Sequence, residues 1–239
     1  MPTPRLFKHD PTDQRCLILR NGTRLRRSYD DVDLYSSEHE SIYSLTRYGL
    51  RPKKIQRIRK RNYGKKTRSG AHQGQRYPYV IFRDKKYEIH ILVTLAWLRA
   101  RGPGEEIDHI NGDIDDCRLK NLRIISAEEN DRCAGILRRL RNFAKKRKDP
   151  ALDPLNIKQQ DLIEIFDRLK GKILDIEFPK EVERYRTLVT LRRSAVLLHD
   201  PSLNPDNMDA ERRELVLSKY RVEDPEKIID DDFKHHREF

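Results

Sequence analysis

The chain has 239 residues, 36% hydrophobic and 38% charged, which suits one compact domain or two small ones. Its longest apolar-rich stretch, 89–98 (IHILVTLAWL), is broken by His90 and Thr94 and falls short of the roughly 20 residues that cross a bilayer; the opening MPTPRLFKHDPTD lacks a signal-peptide core, so a cytoplasmic protein with no membrane partner is expected. Cys16, Cys117 and Cys133 form no CxxC pair, which argues against a disulfide framework and a structural zinc, and 51 Lys and Arg against 39 Asp and Glu leave +12, a balance that attracts polyanions.

In chain order, residues 15–25 (RCLILRNGTRL) read as a short strand, an Asn21-Gly22 turn and the start of a second strand. Between positions 47 and 68 there are eleven Lys or Arg and no acid, with Tyr48 and Tyr63 among them. A second run, 132–148, holds eight bases and no acid. One such run reads equally well as a solvated face or a linker. Two runs bracketing one segment point instead to a phosphate-binding surface whose grip falls steeply with salt. Its candidate contacts are Arg51, Lys53, Lys54, Arg57, Arg59, Lys60, Arg61, Lys65 and Lys66 in the first run and Arg138, Arg139 and Arg141 in the second.

Residues 77–90 alternate as two strands joined at Arg83-Asp84-Lys85, and 91–99 read as a short helix stopped by Gly102-Pro103-Gly104. The segment 107–130 (IDHINGDIDDCRLKNLRIISAEEN) follows. It reads as a strand ending at Asp108-His109, a hydrophilic loop around Gly112, and a returning strand at Leu122-Arg123-Ile124-Ile125. Ser126 is a good N-cap with Glu129 three residues on, so a helix is expected to about Leu140 with Asn130 on its first turn. After Pro150, apolar residues recur at helical spacing at Ile157, Leu162, Ile165, Phe166, Leu169 and Ile173, then at Val182, Tyr185, Leu188, Val189 and Val196. That pattern describes a helical packing region first and a helical DNA-contacting module second; no clear short glycine-containing turn between two helices supports helix-turn-helix, and no internal repeat is evident. The end, 222–239, carries seven acids and three bases.

The 107–130 segment has the residues for phosphodiester chemistry. Asp108 and the Asn130 carboxamide are hard oxygen ligands that could hold Mg²⁺ or a similar ion with open positions for phosphate oxygens. His109, on the other side of the strand from Asp108, could take a proton from water near neutral pH. Taken singly, an Asp-His pair in a polar loop is usually nothing and an Asn before Leu-Arg is usually a turn residue. Asp113, Asp115 and Asp116 could suggest a calcium loop, yet they do not follow the EF-hand order.

The combination resembles the HNH nucleases, in particular the branch with phage and intron homing endonucleases. The resemblance is carried by His90-Ile91-Leu92-Val93, Asp108-His109-Ile110-Asn111-Gly112, Asn121-Leu122-Arg123 and Glu129-Asn130, and it covers roughly residues 77–140. Two positions depart from the family's usual pattern: Ile91 stands where Arg is common, and Cys117 where Asn is. What the resemblance implies is a ββα-metal site, with His109 as general base, Asp108 and Asn130 as ligands of one Mg²⁺ or Mn²⁺, and Asn121 orienting His109 from across the loop. It also implies an α+β fold: a ββα-metal core at 77–148, a small β-rich basic region at 1–76 and a helical region at 149–239. The expected function is a metal-dependent endonuclease acting on double-stranded DNA as a monomer or homodimer, nicking by preference. The rival is a DNA- or RNA-binding protein that keeps the core as a scaffold, and a weaker reading takes the basic surface as an RNA or ribosome contact.

Overall fold

Turn residues spaced every few positions cut the first part of the chain into short strands. In the computed structural model, which describes residues 7–29, 32–57, 77–172 and 174–219, β1 (Phe7–His9), β2 (Cys16–Leu19), β3 (Arg24–Arg27), β4 (Leu34–Ser36), β5 (Ile42–Thr46) and β6 (Gly49–Pro52) form one antiparallel sheet in sequence order. The expected Asn21-Gly22 turn joins β2 to β3. Gly22 takes φ +84°, its N–H donates to the Leu19 carbonyl at 3.0 Å, and the Asn21 side chain accepts from the Thr23 N–H.

β7 (Tyr79–Phe82) and β8 (Lys85–Glu88) form the second expected hairpin, with Arg83 and Asp84 both at positive φ in a two-residue turn. α1 (Ile89–Trp97) begins two residues earlier than the pattern suggested, directly at the end of β8, with the Ile89 N–H donating to the Pro78 carbonyl at 2.9 Å. The helix lies against the sheet, where the Trp97 indole donates to the Ser36 carbonyl at 3.1 Å. β9 (Glu105–His109) and β10 (Leu122–Ser126) pair antiparallel, setting Asp108 opposite Arg123 and His109 opposite Leu122.

α2 (Ala127–Arg147) starts where Ser126 accepts the Glu129 N–H at 3.1 Å, but runs seven residues past Leu140. Nothing in 141–147 breaks it, and buried Ile136, Leu137, Leu140 and Ala144 keep one apolar face going.

The chain divides into two compact units, 1–135 and 136–239. The sequence placed boundaries at 76 and 148 instead. The difference has a packing cause: Leu34 and Ile42 of the N-terminal sheet share one core with Val80, Ile89, Leu92, Val93, Cys117 and Leu122, so the basic region and the expected nuclease segment fold around the same apolar cluster. The sheet is an integral wall of that core.

In the second unit, α3 (Gln159–Arg168), α4 (Leu174–Leu197) and α5 (Ala210–Lys219) follow α2. Leu162, Ile165, Phe166, Leu169, Val182, Tyr185 and Leu188 are buried as expected; Val196 is 72% exposed and is not part of that stripe, and Ile173 lies outside the described residues. Two further corrections arise here. Gly171, at φ +69°, sits in a short connection between α3 and α4. The chain also carries an internal repeat. Asp149-Pro150-Ala151-Leu152-Asp153-Pro154 with Asn156 recurs, 51 residues on, as Asp200-Pro201-Ser202-Leu203-Asn204-Pro205 with Asn207.

The two copies share the same turn and cap bonds. Lys148 and His199 take φ +52° and +53°. Asp149 caps the Ala151 N–H at 3.0 Å and Asp200 the Ser202 N–H at 2.9 Å. Asn156 donates to the Pro150 carbonyl at 2.8 Å and Asn207 to the Pro201 carbonyl at 3.0 Å. The first copy joins α2 to α3 and the second joins α4 to α5. The motif escapes a reading by periodicity because it is only a few polar and proline residues long, between helices of unlike sequence.

Candidate functional site

Strand alternation decides what surrounds the Asp108-His109 pair. Successive side chains leave β9 on opposite faces, so Glu106 and Asp108 share the face that meets α2, while His109 turns toward α1. On the first face, Asp108 is buried and its Oδ2 accepts from Arg123 Nε at 2.8 Å. The same guanidinium lies 3.2 Å from the Cys133 sulfur on α2. Burial pushes the Asp108 carboxyl above its ordinary range, and the Arg123 hydrogen bond pulls it back. Asn130, on the first turn of α2, donates from Nδ2 to Glu106 Oε2 at 2.6 Å.

On the other face, the His109 ring is buried among rings. Tyr77 stacks on it with centroids 5.8 Å apart and planes 15° apart, and His90 of α1 lies 5.5 Å away. The Cys117 sulfur is 3.9 Å from His109 Nε2. Burial lowers the His109 pKa to about 4, against the pull of Asp116 and Asp113. For His90 burial, with His109 beside it, lowers the value to about 3. Both rings are therefore neutral at pH 7, and the Nδ1 of His90 is buried with no hydrogen-bond partner among the described residues.

The loop after His109 is tied down by asparagines. Gly112, at φ +67°, donates to the His109 carbonyl at 2.6 Å and closes a tight turn. Asn121 is fully buried. Its Oδ1 accepts the Asn111 N–H at 3.1 Å, and its Nδ2 donates to Asn111 Oδ1 at 3.0 Å and to the Asp116 carbonyl at 2.9 Å. Asn121 thus holds the loop rather than the imidazole itself. A remote residue, Glu40, braces the same loop by accepting the Cys117 N–H at 3.0 Å, and Arg57 pairs with Glu40 at 2.6 Å.

The structure therefore brings Asp108, Asn130, Glu106 and Arg123 to one face of β9, and His109, His90, Tyr77 and Cys117 to the other. Among the described residues no group of three or more His, Cys, Asp or Glu side chains is arranged to hold a metal ion. The hard-oxygen set of Asp108, Asn130 and neighbouring Glu106 nevertheless suits a divalent cation in kind, and a buried carboxylate with its charge disfavoured is what such an ion would relieve. Arg123 was readable as a partner from the hairpin register. Tyr77 and Glu40 had no local signal, since both arrive through tertiary packing.

Of the candidate phosphate contacts, Arg51 and Lys54 are exposed, Lys53 lies 5.4 Å from the Phe82 ring, and Arg57 is engaged by Glu40. Arg59, Lys60, Arg61, Lys65 and Lys66 lie outside the described residues. Arg138 is exposed on α2, with Arg139 and Arg141 half-buried beside it. No described helix is long and apolar enough to cross a membrane.

Residues 90–132 match the HNH endonuclease family, a span that takes in His90, Asp108, His109, Asn121 and Asn130. No curated protein matches the chain. Among solved structures, one describing DNA binding and cleavage by the HNH homing endonuclease I-HmuI aligns at 22% identity with a TM-score of 0.30, covering 48% of this chain and 62% of that one.

Proposed function

From a chain whose residues 90–132 carry the HNH endonuclease signature, we propose a metal-dependent endonuclease that hydrolyses phosphodiester bonds in double-stranded DNA. The observation that supports it best is the pair at the end of β9: a neutral imidazole on one face, and on the other a buried carboxylate beside the first turn of α2. His109 acts as general base and accepts the proton of the attacking water. A pKa near 4 keeps its ring in the accepting form at neutral pH, and Asp113 and Asp116 stabilise the imidazolium as it forms. Asp108 and Asn130 would hold one Mg²⁺ or Mn²⁺. That ion, when bound, supplies charge relief at the phosphate oxygens.

Asn121 fixes the loop that carries the acidic residues near His109, through its three hydrogen bonds to Asn111 and Asp116. Arg123 aligns Asp108 and pulls its carboxyl back against the upward push of burial. The exposed bases of the first unit hold the DNA backbone. One general base breaks one phosphodiester at a time, so a monomer nicks and a homodimer is needed to cut both strands.

Purified protein incubated with supercoiled plasmid and Mg²⁺ or Mn²⁺ at low salt should convert it to the nicked form. His109→Ala should lower the rate at least a hundredfold, the lower end of what a general base contributes, while still binding DNA. Binding in EDTA with no cleavage on restoring metal would instead identify a scaffold that only binds.

A further inference from the structure

The hairpin between β5 and β6 ends in two residues, Arg47 and Tyr48. It is firmly built: Thr46 Oγ1 donates to the Gly49 carbonyl at 2.9 Å, the Tyr48 N–H donates back to Thr46 Oγ1 at 3.2 Å, and Gly49 supplies φ +108°. Tyr48 is 71% exposed at this tip. The Arg47 guanidinium lies 4.6 Å from its ring centroid and that of Arg51 5.9 Å. Among the described residues neither arginine meets a carboxylate.

The arrangement continues beyond the tip. Lys53 and Arg83 lie 5.4 and 5.0 Å from the Phe82 ring, and Lys86 lies 4.8 Å from Tyr79, whose strand bridges to Gln56 just past β6. Cation–ring contacts thus recur in the first unit, though Arg83 and Lys86 are also paired with Asp33 and Glu88. Lysines and arginines alone suffice to hold phosphates. An outward-facing ring at a built turn, with two guanidinium groups over it that meet no carboxylate among the described residues, adds what phosphates cannot use, a flat π-face that opens when the guanidinium groups turn to phosphates. Base faces can use it.

We propose that the β5–β6 tip is a base-stacking contact with duplex DNA, in which Tyr48 lays its ring on a base at a deformed step while Arg47 and Arg51 take the flanking phosphates. The proposal rests on the reading that this chain binds DNA, and it adds to that reading a contact indifferent to salt.

Binding to a duplex oligonucleotide is measured by fluorescence anisotropy in EDTA across a salt series, for wild type, Tyr48→Ala, Tyr48→Phe and Arg51→Ala. Tyr48→Ala should weaken binding roughly 5- to 150-fold at every salt concentration with an unchanged slope of log affinity against log salt. Tyr48→Phe should bind like wild type. Arg51→Ala should weaken binding and flatten the slope by about 0.9. Because Tyr48 packs against nothing buried, its variants should melt like wild type. Wild-type affinity in Tyr48→Ala overturns the proposal. So does a loss equal in Tyr48→Phe, a loss that comes with a changed slope, or a loss confined to single-stranded oligonucleotides. Cleavage is read separately, in the plasmid assay: a chain that never cuts DNA yet shows the Tyr48 effect ends the nuclease reading and keeps this one, and a chain that cuts but ignores Tyr48 does the reverse.

Discussion

His90 and His109 are two imidazoles buried side by side, and burial makes each hold its neutral form. For His90 the pKa falls from 6.5 to about 3, so between those values the unfolded chain binds a proton that the folded chain refuses. Stability is then full above pH 6.5 and is lost as pH falls toward 3, by up to about 1.4 kcal/mol per pH unit for each such proton. His109 adds to the loss in the same direction, down to about pH 4. Urea midpoints measured from pH 7.5 to 4.5 should fall steeply for wild type and less steeply for His90→Gln; equal slopes would contradict the burial argument. At this scale the chain itself points to Asp108, His109 and Asn130, by residue chemistry and by a spacing that fits one hairpin and one helical turn; Asn121 enters only through the family resemblance. Tyr77, lying over the His109 ring, and Glu40, bracing the loop from 77 residues away, could not be read, because nothing local ties them to the strand they serve.

The elements were most visible where a turn or cap dictates a bond. Ser126 with Glu129 marked the start of α2, and Asn21-Gly22 marked the first hairpin. The end of α2 was less visible, since residues 141–147 have no stop signal and only packing of Ala144 shows that the helix continues. Val196 misled the pattern because helical spacing states which residues share a stripe without stating that anything covers it. The duplicated joint offers a test at this level. Asp149 and Asp200 make the same cap in separate places, so Asp149→Ala and Asp200→Ala should each cost about 1 kcal/mol, and the double variant about the sum. Asp149 also lies 3.4 Å from Arg186 Nε and Asp200 also accepts the Ser202 hydroxyl at 2.6 Å, so each variant loses a contact besides the cap and neither should be spared. Chemical denaturation of the three variants checks both statements, and a double variant no worse than either single one would show that the joints do not act independently.

Over the whole molecule the net charge of +12 sets how the protein meets a polyanion. If six to ten phosphates are engaged, affinity for duplex DNA should drop by about 10³ to 10⁵ between 50 and 200 mM salt, and anisotropy titrations would show it. A shallow dependence would mean that the basic residues face solvent rather than DNA. Basic runs were evident in the sequence, but their assignment to packed units was not. Only the shared core of Leu34 and Ile42 with Ile89, Leu92 and Leu122 shows that the N-terminal sheet and the family-matching segment form one body.

The repeated joint bears on how the chain finds its fold. Two near-identical joints in one polypeptide give a folding chain two places to dock the same short helix, and repeated units are prone to that kind of misassembly. Here the backbone is copied and its neighbours are not: Lys145, Lys146 and Arg147 lead into the first joint, whereas Val196, Leu197 and Leu198 lead into the second. The first set is charged and exposed, and the second is apolar and exposed. If these unlike approaches act as addresses, giving Lys145, Lys146 and Arg147 the apolar residues of the second approach should slow refolding, as a refolding-rate measurement would show.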